Sequence, residues 1–228
     1  MTTVDLLLPC HNESAAILWL APRVPETVNV ILCDNNSDDT SQTLAELAGW
    51  SVTHQNGRHR IGDAVLSGIR QSQAEIVCVM DCDGTIDPAD VPRLLKPILK
   101  GEADVVVGDR SRYASRMPLR HRAASTLRNA LLRAAGVGWH LSDLGSARAF
   151  RRSVLNDGEY SSLHGGLAWN LDFTLSAIHG VGADRVATVD LPYHQRIGRS
   201  QVAGSLTGSI IATRDSIETV VKSRRRKV

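Results

Sequence analysis

Asp81 and Asp83 stand one residue apart after the apolar run Ile76-Val77-Cys78-Val79-Met80, and Gly84-Thr85 follow them. Alternate residues of an extended segment point the same way, so carboxylates at this spacing can converge on one cation. Hard carboxylate oxygens suit Mg2+ or Mn2+, and either ion can grip a diphosphate. Polar groups close other apolar runs as well. Pro9-Cys10-His11-Asn12-Glu13 ends the first, Cys33-Asp34-Asn35-Asn36-Ser37-Asp38-Asp39 the second, and Gly108-Asp109-Arg110 a later one. Four strand ends that deliver acids and amides to one sheet edge provide what a nucleotide site needs. The carboxylates meet base or ribose hydroxyls, and the cation meets the diphosphate. Asp and Asn also follow strands because they cap turns and helices. For Asp39, just ahead of a helical stretch, capping is the expected role.

The strands expected to position these groups are residues 4–8, 28–32, 51–54, 75–80 and 104–107, read as short, buried and for the most part rich in Val, Ile and Leu. Uninterrupted apolar runs of this length fit strands buried on both faces. Helical stretches at 41–48, 62–71 and 89–99 alternate with them. The last opens on Asp87 as N-cap with Pro88 at the first helical position. Pro92 and Pro97 are expected to kink or shorten it. The alternation predicts a doubly wound, mostly parallel α/β sheet with helices on both faces.

Beyond Arg110 the pattern changes. A basic helix is expected at 119–135, within an arginine-rich stretch running from Arg110 to Arg133. Segments 145–155 and 167–179 follow, then a strand at 185–191. Leu206, Ile210, Ile217 and Val221 recur at helical spacing before a tail of Lys222, Arg224, Arg225, Arg226 and Lys227. The chain therefore divides into a nucleotide-binding half (1–110), an acceptor-side and sheet-completing half of the same domain (111–203), and an amphipathic helix with a basic tail (204–228).

Composition narrows the classes. At 228 residues, 43% hydrophobic and 22% charged, the chain suits one globular α/β domain. A formal net charge of +2 argues against a wholly basic nucleic-acid binder, and no nucleic acid is expected as partner. No apolar run approaches the roughly 20 residues of a membrane span. The first apolar stretch lacks a basic region before it and ends at Pro9, unlike a signal peptide. Four cysteines without a Cys-x-x-Cys pair point to a reducing compartment, with cytoplasm the expectation. Cys10, Cys33, Cys82 and His11 can be assembled on paper into a zinc site, but buried cysteine is usually a small hydrophobe, and core packing is expected.

In sequence order these motifs resemble family 2 glycosyltransferases of the type containing dolichyl- and polyprenyl-phosphate sugar synthases. Leu8-Pro9-Cys10-His11-Asn12-Glu13 is similar to the family's opening Pro-x-x-Asn-Glu, and Cys33 to Thr40 to its Asp-Asn/Asp-x-Ser-x-Asp-Gly-Thr turn. Arg60-Ile61-Gly62-Asp63-Ala64 with Gly68 resembles its glycine-containing helix start, and Asp81-Cys82-Asp83 its Asp-x-Asp. Asp143 to Phe150 resembles Asp-x-x-Ser-Gly-x-Arg-x-Phe, and Arg196 to Gln201 the late Arg-x-Gly-x-Ser-Lys loop. Ala147, Gln201 and Thr85 depart from it, standing where relatives carry Gly, Lys and a metal-binding Gln.

The resemblance implies a glycosyltransferase A (Rossmann-like) fold and metal-dependent, inverting transfer from a nucleotide-diphospho-sugar, UDP- or GDP-linked. Pro9, His11, Glu13 and Asp34 would line the nucleoside pocket with Asp63 close by. Asp81 and Asp83 would hold the sugar nucleotide through Mg2+ or Mn2+, Asp83 most directly. Arg148 and Arg196 would face phosphates, and Asp172 falls where the family places a base. Its plainer role is a polar residue on a water-facing helix. Polyprenyl phosphate is the preferred acceptor, ahead of a soluble small-molecule hydroxyl. The basic tail would then hold the enzyme peripherally at an anionic membrane surface, although it serves equally well as a solubilising end. His164 and His194 are further candidates for acceptor phosphate. A distant alternative is a haloacid-dehalogenase-like phosphatase, which also opens on Asp-x-Asp-Gly-Thr after a strand. Three strands precede the motif here, and Gly108-Asp109-Arg110-Ser111-Arg112-Tyr113 lacks the final Asp such enzymes need.

Overall fold

The computed structural model describes residues 2–54, 60–116, 126, 147–155, 166–198 and 206–225. Among the described residues, seven strands form one sheet: β1 (Val4–Cys10), β2 (Asn29–Asp34), β3 (Ser51–His54), β4 (Ile76–Val79), β5 (Val105–Asp109), β6 (Arg148–Arg151) and β7 (Val186–Asp190). Their order is β3-β2-β1-β4-β6-β5-β7. All pairings are parallel except those of β6, which runs antiparallel between β4 and β5. This is the expected Rossmann-like, mostly parallel α/β architecture.

Helices cover both faces. Leu6, Leu8, Cys10, Leu32, Cys78 and Met80 pack under α1 (Ser14–Leu20), α2 (Ser41–Leu47) and α4 (Val91–Leu99). Leu7, Ile31, Cys33, Val77, Val79 and Phe150 face α3 (Ile61–Gln71) and α5 (Trp169–Val181). Two-sided burial is why β1, β2, β4 and β5 read as mostly apolar runs, whereas β3, expected as a buried strand, lies at the sheet edge with no fully buried residue. Gly68 lets α3 approach the sheet closely, since a Cβ there would lie 2.3 Å from Cys33 Sγ. A final helix, α6 (Leu206–Arg225), packs on α5, where Val220 joins Val107, Leu171 and Leu175. No described helix is long and apolar enough to cross a membrane.

Some elements differ from expectation. Helix α1 has no counterpart in the sequence pattern: its seven residues, Ser-Ala-Ala-Ile-Leu-Trp-Leu, offer neither a polar face nor a side-chain cap. Segment 145–155 contributes the short antiparallel β6, whose pattern is broken by arginines at both ends. Asp87 does cap, accepting from Ala89 N at 3.0 Å, but it opens a 3-10 turn (Pro88–Asp90) that runs into α4. Pro92 falls in the first turn of α4, where no amide is needed, and Pro97 lies inside it. The helix expected at 119–135 lies outside the described residues.

The chain leaves β1 toward β2 and β3 on one side and returns to β4 on the other. Their C-terminal ends thus form the crevice where open α/β sheets bind ligands. Because β6 is antiparallel, its first residue, Arg148, arrives at this same edge opposite Val79 and Val107.

Candidate active site

On one side of the crevice two polar turns are tied together. After β1 the backbone turns at Asn12 (φ 57°) and after β2 at Asn36 (φ 58°). Asn12 Nδ2 donates to Asp38 Oδ1 at 2.6 Å, and Asp38 N donates back to Asn12 Oδ1 at 2.9 Å. Asn12 N reaches Ser37 Oγ at 3.0 Å. Asp39 accepts from Ser14 N (3.1 Å) and Ser41 N (2.8 Å), so one carboxylate serves the first amide of both α1 and α2. The capping role expected of Asp39 is what the structure holds, and it fixes α1 beside α2.

Asp34, at the end of β2, is 1% exposed. Its carboxylate accepts from Ser37 N at 3.2 Å and Gln42 Nε2 at 2.8 Å, with His54 Nδ1 at 3.9 Å. Asp63 sits in the first turn of α3 and pairs with Arg60 at 2.9 Å. Pro9 is buried in β1 opposite Cys33. His11 is half-buried, and its Nδ1 meets no hydrogen-bond partner among the described residues.

The other side is built on β4 and a late loop. Asp83 Oδ1 accepts from Thr85 Oγ1 (2.6 Å) and Thr85 N (3.0 Å). Asp83 Oδ2 accepts from Arg196 Nη1 at 2.6 Å. The same guanidinium donates through Nη2 to Glu13 Oε1, bridging β1's turn to β4's. Backbone bonds pin the loop in place: Ile197 N to Asp83 O and His194 N to Thr85 O, both 2.9 Å. Gly84 adopts φ 74° beneath Ile197, and a Cβ there would sit 2.8 Å from Ile197 Cδ1.

Electrostatics follow from this crowding. Burial raises the Glu13 carboxyl to about 7, and the nearby Asp83 and Asp81 push the same way against the opposing Arg196. Burial works against the charge of Arg196, but Asp83 and Glu13 outweigh it and raise its pKa. Burial also raises the Tyr193 phenol, with Arg110 opposing and Asp83 adding to the rise. Arg110 lies 5.9 Å over the Tyr193 ring.

A profile of Glycosyl transferase family 2 matches residues 5–158. An uncharacterized glycosyltransferase of Mycobacterium tuberculosis is 32% identical over 214 residues, covering 93% of this chain and 95% of the relative. The chain belongs to glycosyl transferase family 2. It is also 24% identical over 222 residues to the undecaprenyl-phosphate mannosyltransferase of Micrococcus luteus, covering 90% and 89% of the two chains. Among solved structures, glucosyl-3-phosphoglycerate synthase of Mycobacterium tuberculosis, in complex with Mn2+, UDP-glucose and phosphoglyceric acid, matches with a TM-score of 0.76 at 25% identity. That match covers 97% of this chain and 79% of the synthase.

For this glycosyltransferase the phosphatase alternative falls away. The zinc alternative fails on geometry: Cys10 and Cys82 pack on one face of the sheet and Cys33 on the other. Among the described residues no group of three or more His, Cys, Asp or Glu side chains is arranged to hold a metal. Cys10 instead accepts a hydrogen bond from Cys82 that lowers its pKa, and burial raises that of Cys33.

Of the expected site residues, the structure brings Glu13, Asp83 and Arg196 into direct contact, and Asp81 lies near enough to act on Glu13. Arg148, on β6, packs against α5, the helix that carries Asp172. Arg148 is 0% exposed, donates from Nε to Thr174 Oγ1 at 3.1 Å and lies 5.5 Å over Trp169. Asp172, in the first turn of α5, is 1% exposed, which corrects the water-facing alternative. Arg112 of the basic stretch is held by Asp190 at 2.6 Å. Thr85, Ile197 and Tyr193 join the site in roles that no sequence motif assigns them. Residues 117–125, 127–146, 164, 199–201 and 226–228, which include Arg120, Arg122, Arg128, Arg133, His164 and most of the Asp143 motif, lie outside the described residues.

Proposed function

We propose that this glycosyltransferase moves a sugar, with inversion, from a UDP- or GDP-sugar to a polyprenyl phosphate, using Mg2+ or Mn2+. The observation that supports the donor half is the cluster of Glu13, Asp83 and Arg196 at the switch point between β1 and β4.

The donor set fits such an ion. Mg2+ is commonly held by one or two carboxylates together with substrate phosphates rather than by a full protein cage, and Asp81 and Asp83 offer that much. Asp83 Oδ2 already receives a cationic group, the Arg196 guanidinium. The bound ion would supply charge neutralisation of the departing diphosphate. Glu13 and His11 would edge the nucleoside, with the enclosed Asp34 holding Ser37 and Gln42 beside it, and Arg196 would place positive charge beside the phosphates. Tyr193 and Arg110 would flank the sugar side.

Acceptor chemistry decides what Asp172 does. A hydroxyl needs a general base within hydrogen-bond reach. A phosphate is already an anion at neutral pH and needs none, which leaves buried Asp172 a positioning role beside Trp169 and Thr174. A polyprenyl acceptor also places the enzyme at the inner face of a membrane, where the basic tail after Val221 would meet anionic lipid. Deleting residues 223–228 is then expected to weaken liposome binding at low salt more than at high salt; unchanged partitioning would remove the tail from the account. The likeness to a synthase solved with phosphoglyceric acid favours a second reading, a soluble phosphate-bearing acceptor.

The test is transfer of radiolabelled sugar from each nucleotide sugar to undecaprenyl phosphate in detergent, against soluble phosphate acceptors. Metal-dependent label in the butanol-extractable fraction supports the lipid acceptor. Label only in water-soluble products selects the second reading, and none in either contradicts both.

A further inference from the structure

The most heavily engaged cation at the donor edge is a side chain of the protein itself. Arg196 spans Glu13 and Asp83, residues 183 and 113 positions away in the chain, and its side chain is only 23% exposed, against 11% for Glu13 and 13% for Asp83. Both oxygens of Asp83 are taken, Oδ1 by Thr85 and Oδ2 by Arg196. The loop that carries Arg196 is seated rather than loose: Ile197 packs over Gly84 and into the core, and two amides bind the β4 turn.

A carboxylate oxygen has two lone pairs, but a divalent ion and a guanidinium that shared those of Asp83 Oδ2 would stand only about 4 Å apart and repel each other. Asp83 Oδ1 offers no easy substitute, because Thr85 donates to it twice. Resting on the donor-site reading above, we infer that Arg196 is an internal competitor for the metal: it neutralises Glu13 and Asp83 until an ion reaches Asp83, and the ion's arrival releases Arg196 together with residues 191–198. Binding linkage makes this reciprocal, so whatever weakens the seat of Arg196 strengthens metal binding by the same factor. The released guanidinium is then available for the phosphates that arrive with the ion, its charge no longer spent on carboxylates. Gly84 and Gly198, with φ 74° and 80°, bracket the contact and give both turns room.

The experiment is a Mn2+ titration of the full chain without nucleotide, read by the electron paramagnetic resonance signal of the free ion. Arg196→Gln removes the competitor, and its Mn2+ dissociation constant is expected to fall about tenfold, the scale of one half-buried ion pair. Ile197→Ala leaves every charge in place and only loosens the loop, and it should tighten Mn2+ binding by a smaller factor. Adding Asp83→Ala to either variant should abolish that binding. In the wild type, Mn2+ should also speed amide hydrogen exchange across residues 191–198. Equal or weaker Mn2+ affinity in both variants, or slower exchange in that loop, overturns the inference while leaving the donor site standing. Absence of Mn2+ binding in every protein, with UDP or GDP present as well as without either, overturns the donor-site reading and this inference together.

Discussion

Replacing Gly84 with Ala tests the seating of the late loop on the Asp83 turn. Gly84 is buried at φ 74°, and a Cβ would meet Ile197 Cδ1 at 2.8 Å and Cγ1 at 3.1 Å. The left-handed backbone costs about 1 kcal/mol for a residue with a Cβ. Forcing a methyl against a packed side chain adds about 1–2 kcal/mol, so the total is about 2–3 kcal/mol. At roughly 2–4 °C per kcal/mol for a domain of this size, the melting point should drop by about 5–10 °C. Gly101→Ala is the internal control: Gly101 has φ 72°, but a methyl there would meet nothing within 4 Å, so only the backbone cost of about 1 kcal/mol applies. Thermal denaturation of Gly84→Ala, Gly101→Ala, Ile197→Ala and the Gly84→Ala/Ile197→Ala pair completes a double-mutant cycle. In the Ile197→Ala background the cost of Gly84→Ala should shrink to that of Gly101→Ala. A Gly84→Ala variant that melts no lower than Gly101→Ala, or whose cost is independent of residue 197, would show that Ile197 is not seated on Gly84.

Asp39→Ala removes an acceptor from the first amides of both α1 and α2, and at about 1 kcal/mol per cap urea denaturation should show a loss of about 2 kcal/mol. Glu13→Gln probes the raised carboxyl. Native Glu13 keeps its proton up to about 7 while the unfolded chain releases it near 4.5, so its contribution is full below pH 4.5 and is lost as the pH climbs to about 7. The stability of wild type relative to Glu13→Gln should therefore fall across that window and level off above it; a flat difference would show that Glu13 titrates normally. Asp172→Asn separates the acceptor chemistries. With a phosphate acceptor the turnover should drop less than about tenfold, whereas loss of a general base costs about 10²–10⁴-fold.

Much of the sheet was legible because burial on both faces turns β1, β2, β4 and β5 into runs dominated by Val, Ile and Leu, and because polar residues mark where each run stops. Asp39 was legible as a cap because its signal is local. Helix α1 was not, since an all-apolar stretch of seven residues has no period to read. Strand β6 was hidden by the buried Arg148, a residue type rarely found fully enclosed, whose partners Trp169 and Thr174 come from α5 more than twenty positions on. The burial of Asp172 depends on how α5 lies between the sheet and α6, and nothing local announces that packing. The site shows the same division. Motifs named Glu13, Asp83 and Arg196 one by one, but only the fold joins them, and only the fold reveals that Asp34 is already enclosed by Ser37 and Gln42.

A metal-dependent nucleotide-sugar site at Asp83 makes nucleotide binding depend on both the ion and that carboxylate. The most direct measurement is a thermal-shift panel of UDP, GDP, CDP and dTDP sugars, each with and without Mn2+ or Mg2+, on wild type and Asp83→Ala. One nucleotide family should raise the wild-type melting point by about 5–10 °C at a hundredfold excess over its dissociation constant, only with metal, and should leave Asp83→Ala unmoved. A shift that needs no metal and survives in Asp83→Ala, or no shift with any nucleotide, would contradict it.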